Sequence, residues 1–315
     1  MMNRREFLTS TLAAGMLTPL AKSLIAAAPA STMTLGYGTY GLKSFTSEQA
    51  IDLIAGTGFD SIEFTIWPDW DLDPAKVDTS RRKLLREKLE KSPLKLTSLM
   101  ENLSVQKPGE NLSVRLERIK RVAELAHDLS PKNPPLMQTV LHGSMTSKGI
   151  LRQYADELAE WVKVADSVDL TIAFKPHRGS TVSRPDEAVW IIKSLGQPER
   201  LKICYDYSHY DLRDMTLEST VKEALPWIAH VAVKDVVPTE KGTRFVLPGA
   251  GGRIDYAHLL TLLQQGGYRG DVSCEVSGQV WSQPGYDPKA TMKTCYANMS
   301  QAFEKADVPR PMKNR

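Results

Sequence analysis

From residue 34 onward, short apolar runs alternate with longer segments that keep their apolar residues on one face, and eight such pairs follow one another. The runs fall at 35–40, 61–66, 95–100, 137–142, 170–176, 201–207, 229–234 and 271–276. Several are apolar at nearly every position, as with Ala229, Val231, Ala232 and Val233. A strand with one wet face reads apolar and polar in turn. Near-continuous runs belong to strands covered on both sides, which is the condition of a parallel sheet. The intervening segments carry the helical period: Val114, Leu116, Ile119, Val122, Ala123 and Leu125 form a stripe opposite Arg115, Glu117, Arg118, Lys120 and Arg121. Tyr154, Leu158, Trp161, Val162 and Ala165 repeat that pattern, and the segment from Ser47 to Ala55 starts behind Thr46 and stops at Gly56 and Gly58.

Eight strand-and-helix repeats predict one α/β domain, a single (β/α)8 barrel over residues 31–315, with an open doubly wound sheet as the alternative. The turn-rich connections 67–78 and 236–253 read as loops over the barrel mouth. Residues 1–30 stand apart, with Arg4-Arg5 ahead of a mildly apolar run that ends in Ala26-Ala27-Ala28-Pro29-Ala30. This is the pattern of a twin-arginine export signal, handled by the twin-arginine translocase and directing the chain to the periplasm or another exported location. Gly15, Pro19 and Lys22 interrupt the run, so it does not predict a membrane span. Loss of residues 1–30 lowers the formal net charge from +3 to +1, and nothing in so balanced a chain suggests a nucleic-acid surface. Cys204, Cys274 and Cys295 make no disulfide framework and no metal-binding spacing, and buried packing is the reading for them.

In a barrel the loops after the strands form the working face. The polar residues ending the strands are Glu63, Glu101 with Asn102, His142, Lys175 with His177, Asp206 with His209, Lys234 with Asp235, and Glu275. Burying any one charge unpaired costs several kcal/mol, so charges gathered at one end of eight strands imply mutual pairing, a metal or a polar ligand. Lys175, set in Leu170-Thr171-Ile172-Ala173-Phe174, is the least expected of them. It is read as a lysine made less basic by burial, as one held charged to neutralise an oxyanion, or as a salt-bridge partner of Asp206 or Glu275. Arg178 and Arg184 are substrate clamps or solvated loop charges. Tyr37, Tyr40, Trp67, Trp70, Tyr205, Tyr207, Tyr210, Trp281 and Tyr286 lie near strand ends, where rings can stack on the C–H faces of a sugar or pack beneath loops.

Gly58-Phe59-Asp60-Ser61-Ile62-Glu63, Asp206-Tyr207-Ser208-His209, His230-Val231-Ala232-Val233-Lys234-Asp235, Gly249-Ala250-Gly251-Gly252-Arg253-Ile254-Asp255 and Gly267-Tyr268-Arg269-Gly270 before Glu275 resemble, in order and spacing, the xylose isomerase-like TIM barrels. The resemblance covers roughly residues 34–305 and includes a Lys-Pro-His-Arg-Gly stretch at strand five. It implies a sugar isomerase or epimerase, and a divalent metal (Mn, Zn, Mg or Co) held by glutamate, aspartate, histidine and glutamate on strands five to eight. Asp206 and Glu275 match that set; Lys175 and Ala232 do not, while His230 lies one pleat deeper. Three outcomes stay open: a rearranged metal site in which His142, His177 or His209 joins Asp206 and Glu275, with His209 the ligand taken forward; no metal, with Lys175 supplying the positive charge; or a site that binds sugar without turnover.

The function expected is proton transfer next to a carbonyl on a non-phosphorylated sugar or keto-sugar, by isomerisation, epimerisation or β-elimination. Glu275, Lys175, His177 and His209 are the catalytic candidates; Glu63, Glu101, His142, Arg178, Tyr207 and Lys234 are the substrate-binding candidates. The alternatives are an inactive periplasmic carbohydrate-binding protein and a metal-dependent phosphodiesterase of the endonuclease branch, against which six scattered histidines argue.

Overall fold

The computed structural model describes residues 32–105, 111–143 and 148–311. The expected export signal at 1–30 lies outside them. Eight parallel strands close a barrel, which settles the choice against an open sheet. They are β1 (Thr34–Gly38), β2 (Ser61–Thr65), β3 (Lys95–Met100), β4 (Leu136–Val140), β5 (Ile172–Lys175), β6 (Leu201–Tyr205), β7 (Ile228–Val233) and β10 (Asp271–Cys274). Outside them run α1 (Ser47–Thr57), α2 (Thr79–Lys91), α3 (Leu112–Leu129), α4 (Lys148–Ser167), α5 (Pro185–Ser194), α6 (Leu217–Ala224), α7 (Tyr256–Gln265) and α9 (Pro288–Lys305). Among the described residues no helix is long and apolar enough to cross a membrane.

Local chemistry sets the boundaries. Thr46 caps α1 by accepting from the Gln49 N–H while the Gln49 side chain accepts from the Thr46 N–H, and Gly58, at φ 112°, ends the helix in a conformation that side chains resist. Asp78, Asn111, Thr216, Asp255 and Asp287 begin later helices by accepting a backbone N–H with the side chain alone. The connection expected as a loop at 236–253 is in part a two-stranded antiparallel hairpin, β8 (Asp235–Thr239) and β9 (Gly242–Val246). A four-residue helix, α8 (Gly278–Trp281), follows β10.

Alternation along each strand sorts the side chains into two compartments. Ile172 and Phe174, Ile203 and Tyr205, Val231 and Val233, and Val272 and Cys274 point outward and join the main core beneath the helices. The residues between them point inward. Ala173, Cys204 and Ala232 form a separate small cluster inside the barrel. Such short side chains leave the barrel centre open to polar neighbours: Asp271 accepts hydrogen bonds from Thr34 (2.6 Å), Thr97 (2.9 Å) and Ser61. A Cβ on Gly36 would lie 2.6 Å from Ser61 Oγ, so glycine there leaves room for this network. All three cysteines are buried and free.

Candidate active site

One pleat above the small cluster, every inward position on four successive strands of the closed sheet is charged. Two residues past Ala173, Cys204, Ala232 and Ser273 come Lys175, Asp206, Lys234 and Glu275. The period of a strand therefore delivers four charged side chains to one level of the barrel. All are buried, with side-chain exposures of 1% for Lys175, 0% for Asp206, 2% for Lys234 and 8% for Glu275. They alternate in sign around a closed ring. Lys175 pairs with Glu275 and lies 3.5 Å from Asp206; Lys234 pairs with Asp206 and lies 2.9 Å from Glu275 Oε1.

The ring is neutral in sum, which is what makes so much buried charge tolerable. Its members hold one another ionised. Burial alone would make Lys175 less basic, but Glu275 and Asp206 outweigh it and hold the ammonium well above the ordinary lysine range. The reading of Lys175 as a lysine of lowered basicity is thereby corrected. Burial pushes Glu275 up, yet Lys175 and Lys234 bring it down to about 2. Asp206 is likewise driven well below the carboxylate range by Lys234, His209 and Lys175 against the cost of its burial.

His209 is fixed beside the ring. Its Nδ1 accepts the Arg178 N–H at 3.2 Å, which places the hydrogen of the neutral ring on Nε2, 3.4 Å from Asp206 Oδ2 and 3.2 Å from Lys234 Nζ. Burial and Lys234 lower its pKa to about 4, which keeps it neutral at pH 7. Ser208 holds the other oxygen of Asp206 through its hydroxyl (2.6 Å) and N–H (3.1 Å). His177 packs against His209 with ring centres 4.0 Å apart and planes tilted by 42°, and burial with the neighbouring His209 and Lys234 lowers it to about 2. Phe245, on the hairpin, closes over this group: its ring centre lies 5.0 Å from His209 and 5.0 Å from Lys234 Nζ. The Phe245 N–H donates to Gln279 Oε1 at 2.8 Å, which ties the hairpin to α8.

An aromatic wall stands on the Glu275 side. Tyr40 packs against Trp67 (4.9 Å), Trp70 (5.8 Å) and Trp281 (5.5 Å), and Lys43 lies 4.0 Å over Trp70. Burial and the nearby Glu275 carboxylate push the Tyr40 phenol up to about 12. Tyr37, Tyr205 and Tyr210 are instead wholly buried, with the Tyr205 hydroxyl engaged by Thr220 at 2.9 Å.

Several residues expected to touch substrate have structural work. Glu101 accepts from the Asn102 N–H (2.8 Å) and from Arg118 Nε (2.7 Å), so both its oxygens are taken. Glu63 turns into the barrel, 3.1 Å from His230 Nε2. His230 is thus the partner of Glu63, four residues and roughly 13 Å of strand below Lys234. The Tyr207 hydroxyl donates to the Met215 carbonyl at 3.2 Å and packs the loop. Asp235 accepts from Tyr256 (2.6 Å) and the Gly251 N–H (2.7 Å), anchoring the glycine-rich loop. Arg184 ends exposed beside Asp186. Arg178 stays at the site, its guanidinium on the Asp211 carbonyl. His142, half-buried beside Asn102, holds φ at 57°, a backbone conformation rare outside glycine. Lys234, expected only as a substrate contact, is a full member of the ring.

The donor set does not suit the divalent metal expected on Asp206, Glu275 and His209. Both carboxylates are bridged by ammonium groups, which do not ligate, and the Nε2 of His209 presents a hydrogen instead of a lone pair. Among the described residues, no group of three or more His, Cys, Asp or Glu side chains is arranged to hold a metal ion.

A family profile described as "Xylose isomerase-like TIM barrel" matches residues 51–306. A Mus musculus protein named "Putative hydroxypyruvate isomerase" is 31% identical over 117 residues, covering 35% of this chain and 40% of that protein. The chain thus spans about two fifths of that curated relative's length. Among solved structures, an L-ribulose 3-epimerase superposes with a TM-score of 0.68 at 18% identity, covering 87% of this chain and 96% of the other. The IOLI protein, solved with a zinc atom, superposes with a TM-score of 0.70 at 19% identity, covering 87% and 99%. At these identities the structural likeness concerns the fold.

Proposed function

This chain belongs to the xylose isomerase-like TIM barrel family, and on that premise we propose that it is an exported enzyme of the sugar isomerase and epimerase type. It moves a proton on the carbon beside a carbonyl of a non-phosphorylated sugar or keto-sugar. The observation that carries the reading is the Glu275 carboxylate, at the end of β10, in contact with two buried ammonium groups.

Glu275 takes the proton from the carbon next to the carbonyl. The bonding pair shifts toward the carbonyl oxygen, and the ammonium groups of Lys175 and Lys234 hold the negative charge that forms there. Return of the proton to the former carbonyl carbon, with the hydroxyl proton on the first carbon passing to the oxyanion, gives isomerisation. Expulsion of a leaving group one carbon further gives β-elimination, and reprotonation on the opposite face, by a group other than Glu275, gives epimerisation.

In the free protein Glu275 is held at about 2, too low for an efficient base. A substrate oxygen that takes hydrogen bonds from the ammonium groups weakens their hold on Glu275. Its basicity then rises as the oxyanion forms, so base and electrophile are coupled through the ring. The aromatic wall of Tyr40, Trp67, Trp70 and Trp281 offers stacking surfaces beside Glu275. The Arg4-Arg5 leader supports export through the twin-arginine translocase to the periplasm, where free or glycosidic sugars are more accessible than phosphorylated ones.

The test is exchange of the carbon-bound proton, followed by NMR in D2O over a panel of ketoses and keto-glycosides. Wild type exchanges the proton next to the carbonyl of its substrate, and Glu275→Gln, folded by circular dichroism, does not. Exchange retained in Glu275→Gln removes the assignment; binding without exchange in wild type selects a carbohydrate-binding protein instead.

A further inference from the structure

Asp206 and Glu275 bring two negative charges to the end of the barrel, and what lies between them is two ammonium nitrogens, each touching both carboxylates. We propose that Lys175 and Lys234 together stand in for a divalent cation, and that this barrel works without metal, using the ammonium pair as its electrophile. The metal half of this inference is independent of the reaction; the catalytic half rests on the proton-transfer reading above.

The formal charge is the same, since two ammonium groups carry what one divalent ion carries. The surroundings are those of organic cations. Phe245 sets a ring face 5.0 Å from Lys234 Nζ, where it stabilises a cation and offers no lone pair to a metal. Ser208 turns one oxygen of Asp206 away, leaving Oδ2 to face Lys234, Lys175 and the Nε2–H of His209. Arg178, through its N–H, occupies the one lone pair of His209. Each feature favours an ammonium and disfavours a coordinated ion.

The substitution also changes what the site recognises. A metal ion binds oxygens within a spherical field, whereas each ammonium has three N–H donors in fixed directions. Lys175 uses two on Glu275 and Asp206, and Lys234 uses two on the same pair. One N–H remains on Lys175, whereas the third side of the Lys234 nitrogen faces His209 Nε2 at 3.2 Å. A single directed donor, backed by the charge of the second ammonium, matches one oxygen, the carbonyl oxygen on which the negative charge forms.

The experiment is metal analysis and zinc titration calorimetry on the full wild-type chain and on Lys175→Glu/Lys234→Ala, which removes both ammonium groups and leaves three carboxylates. Wild type is expected to contain no stoichiometric metal, to give no zinc binding at micromolar concentration and to keep its proton exchange in EDTA. The double variant is expected to gain one zinc per chain. A wild type that holds one metal per chain, lost to EDTA together with its exchange activity, overturns the proposal; so does a folded double variant that binds no zinc. If the double variant does not fold, the wild-type titration still decides. A metal-free wild type that exchanges no carbonyl sugar leaves the metal half standing and removes the reaction instead.

Discussion

Lys175→Met takes one positive charge out of the ring and leaves Asp206 and Glu275 sharing Lys234 alone. In the native ring Glu275 is lowered from 4.5 to about 2, a shift that corresponds to ~3 kcal/mol of stabilisation of the folded state at neutral pH. Removing its first partner should forfeit that and leave a buried carboxylate without a full counter-charge, a loss of about 3–5 kcal/mol. The pH dependence should change sign. In wild type the folded pKa of Glu275 lies below the unfolded one, so its contribution is complete above about 4.5 and is lost as pH falls toward 2. In the variant the surplus carboxylate should have a folded pKa above the unfolded one, so its contribution is present in acid and lost as pH rises. Urea unfolding at pH 7, 6 and 5 should therefore show the gap between the two proteins narrowing as pH falls. Adding Glu275→Gln to Lys175→Met restores neutrality and should recover on the order of 2 kcal/mol. A gap that stays constant with pH, or a double variant no more stable than Lys175→Met, would refute the closed ring.

The catalytic groups give a pH profile unlike that of a histidine enzyme: with Glu275 and His177 at about 2, His209 at about 4 and Lys175 held well above the lysine range, kcat/KM should be flat from about pH 5 to 9. A limb near pH 6.5 in initial rates would show an ordinary histidine at work. Phe245→Ala should lower proton exchange about tenfold, as loss of a shielded cation contact implies; unchanged rates would place Phe245 outside the site. Glu101→Gln should cost about 1–3 kcal/mol in urea unfolding through its bonds to Arg118 and the Asn102 N–H, with exchange rates unaltered. A loss of exchange without a loss of stability would return Glu101 to the substrate.

The barrel was legible because strands covered on both faces must be apolar throughout, and a charge at the end of such a run stands out. Lys175 after Ile172-Ala173-Phe174 and Glu275 after Val272-Ser273-Cys274 were visible for that reason, and alternation places both inside. The partners of other charges were not legible, because pairing is spatial. Glu101 looked like a strand-end acid until Arg118, reaching across from α3, took it, and Glu63 until His230 did. The hairpin did carry a local sign. Val236-Val237 and Phe245-Val246 flank a turn at Glu240 and Lys241 closed by Gly242, which is positive in φ, but a short hairpin in a loop competes with the stronger period of the surrounding helices. Lys234 was seen as polar and near the mouth; its part in balancing two carboxylates follows only from the closure of β7 beside both β6 and β10.

The ring can be read directly from its nitrogens. Lysine side chains labelled with 15N at Nζ, with the signal of Lys175 identified from Lys175→Arg, should give a protected ammonium resonance that stays charged throughout a titration to about pH 10.5, the ordinary lysine value. A Lys175 nitrogen that loses its proton below that pH would mean that no pair of carboxylates holds it, and that the two acids face something other than these two cations.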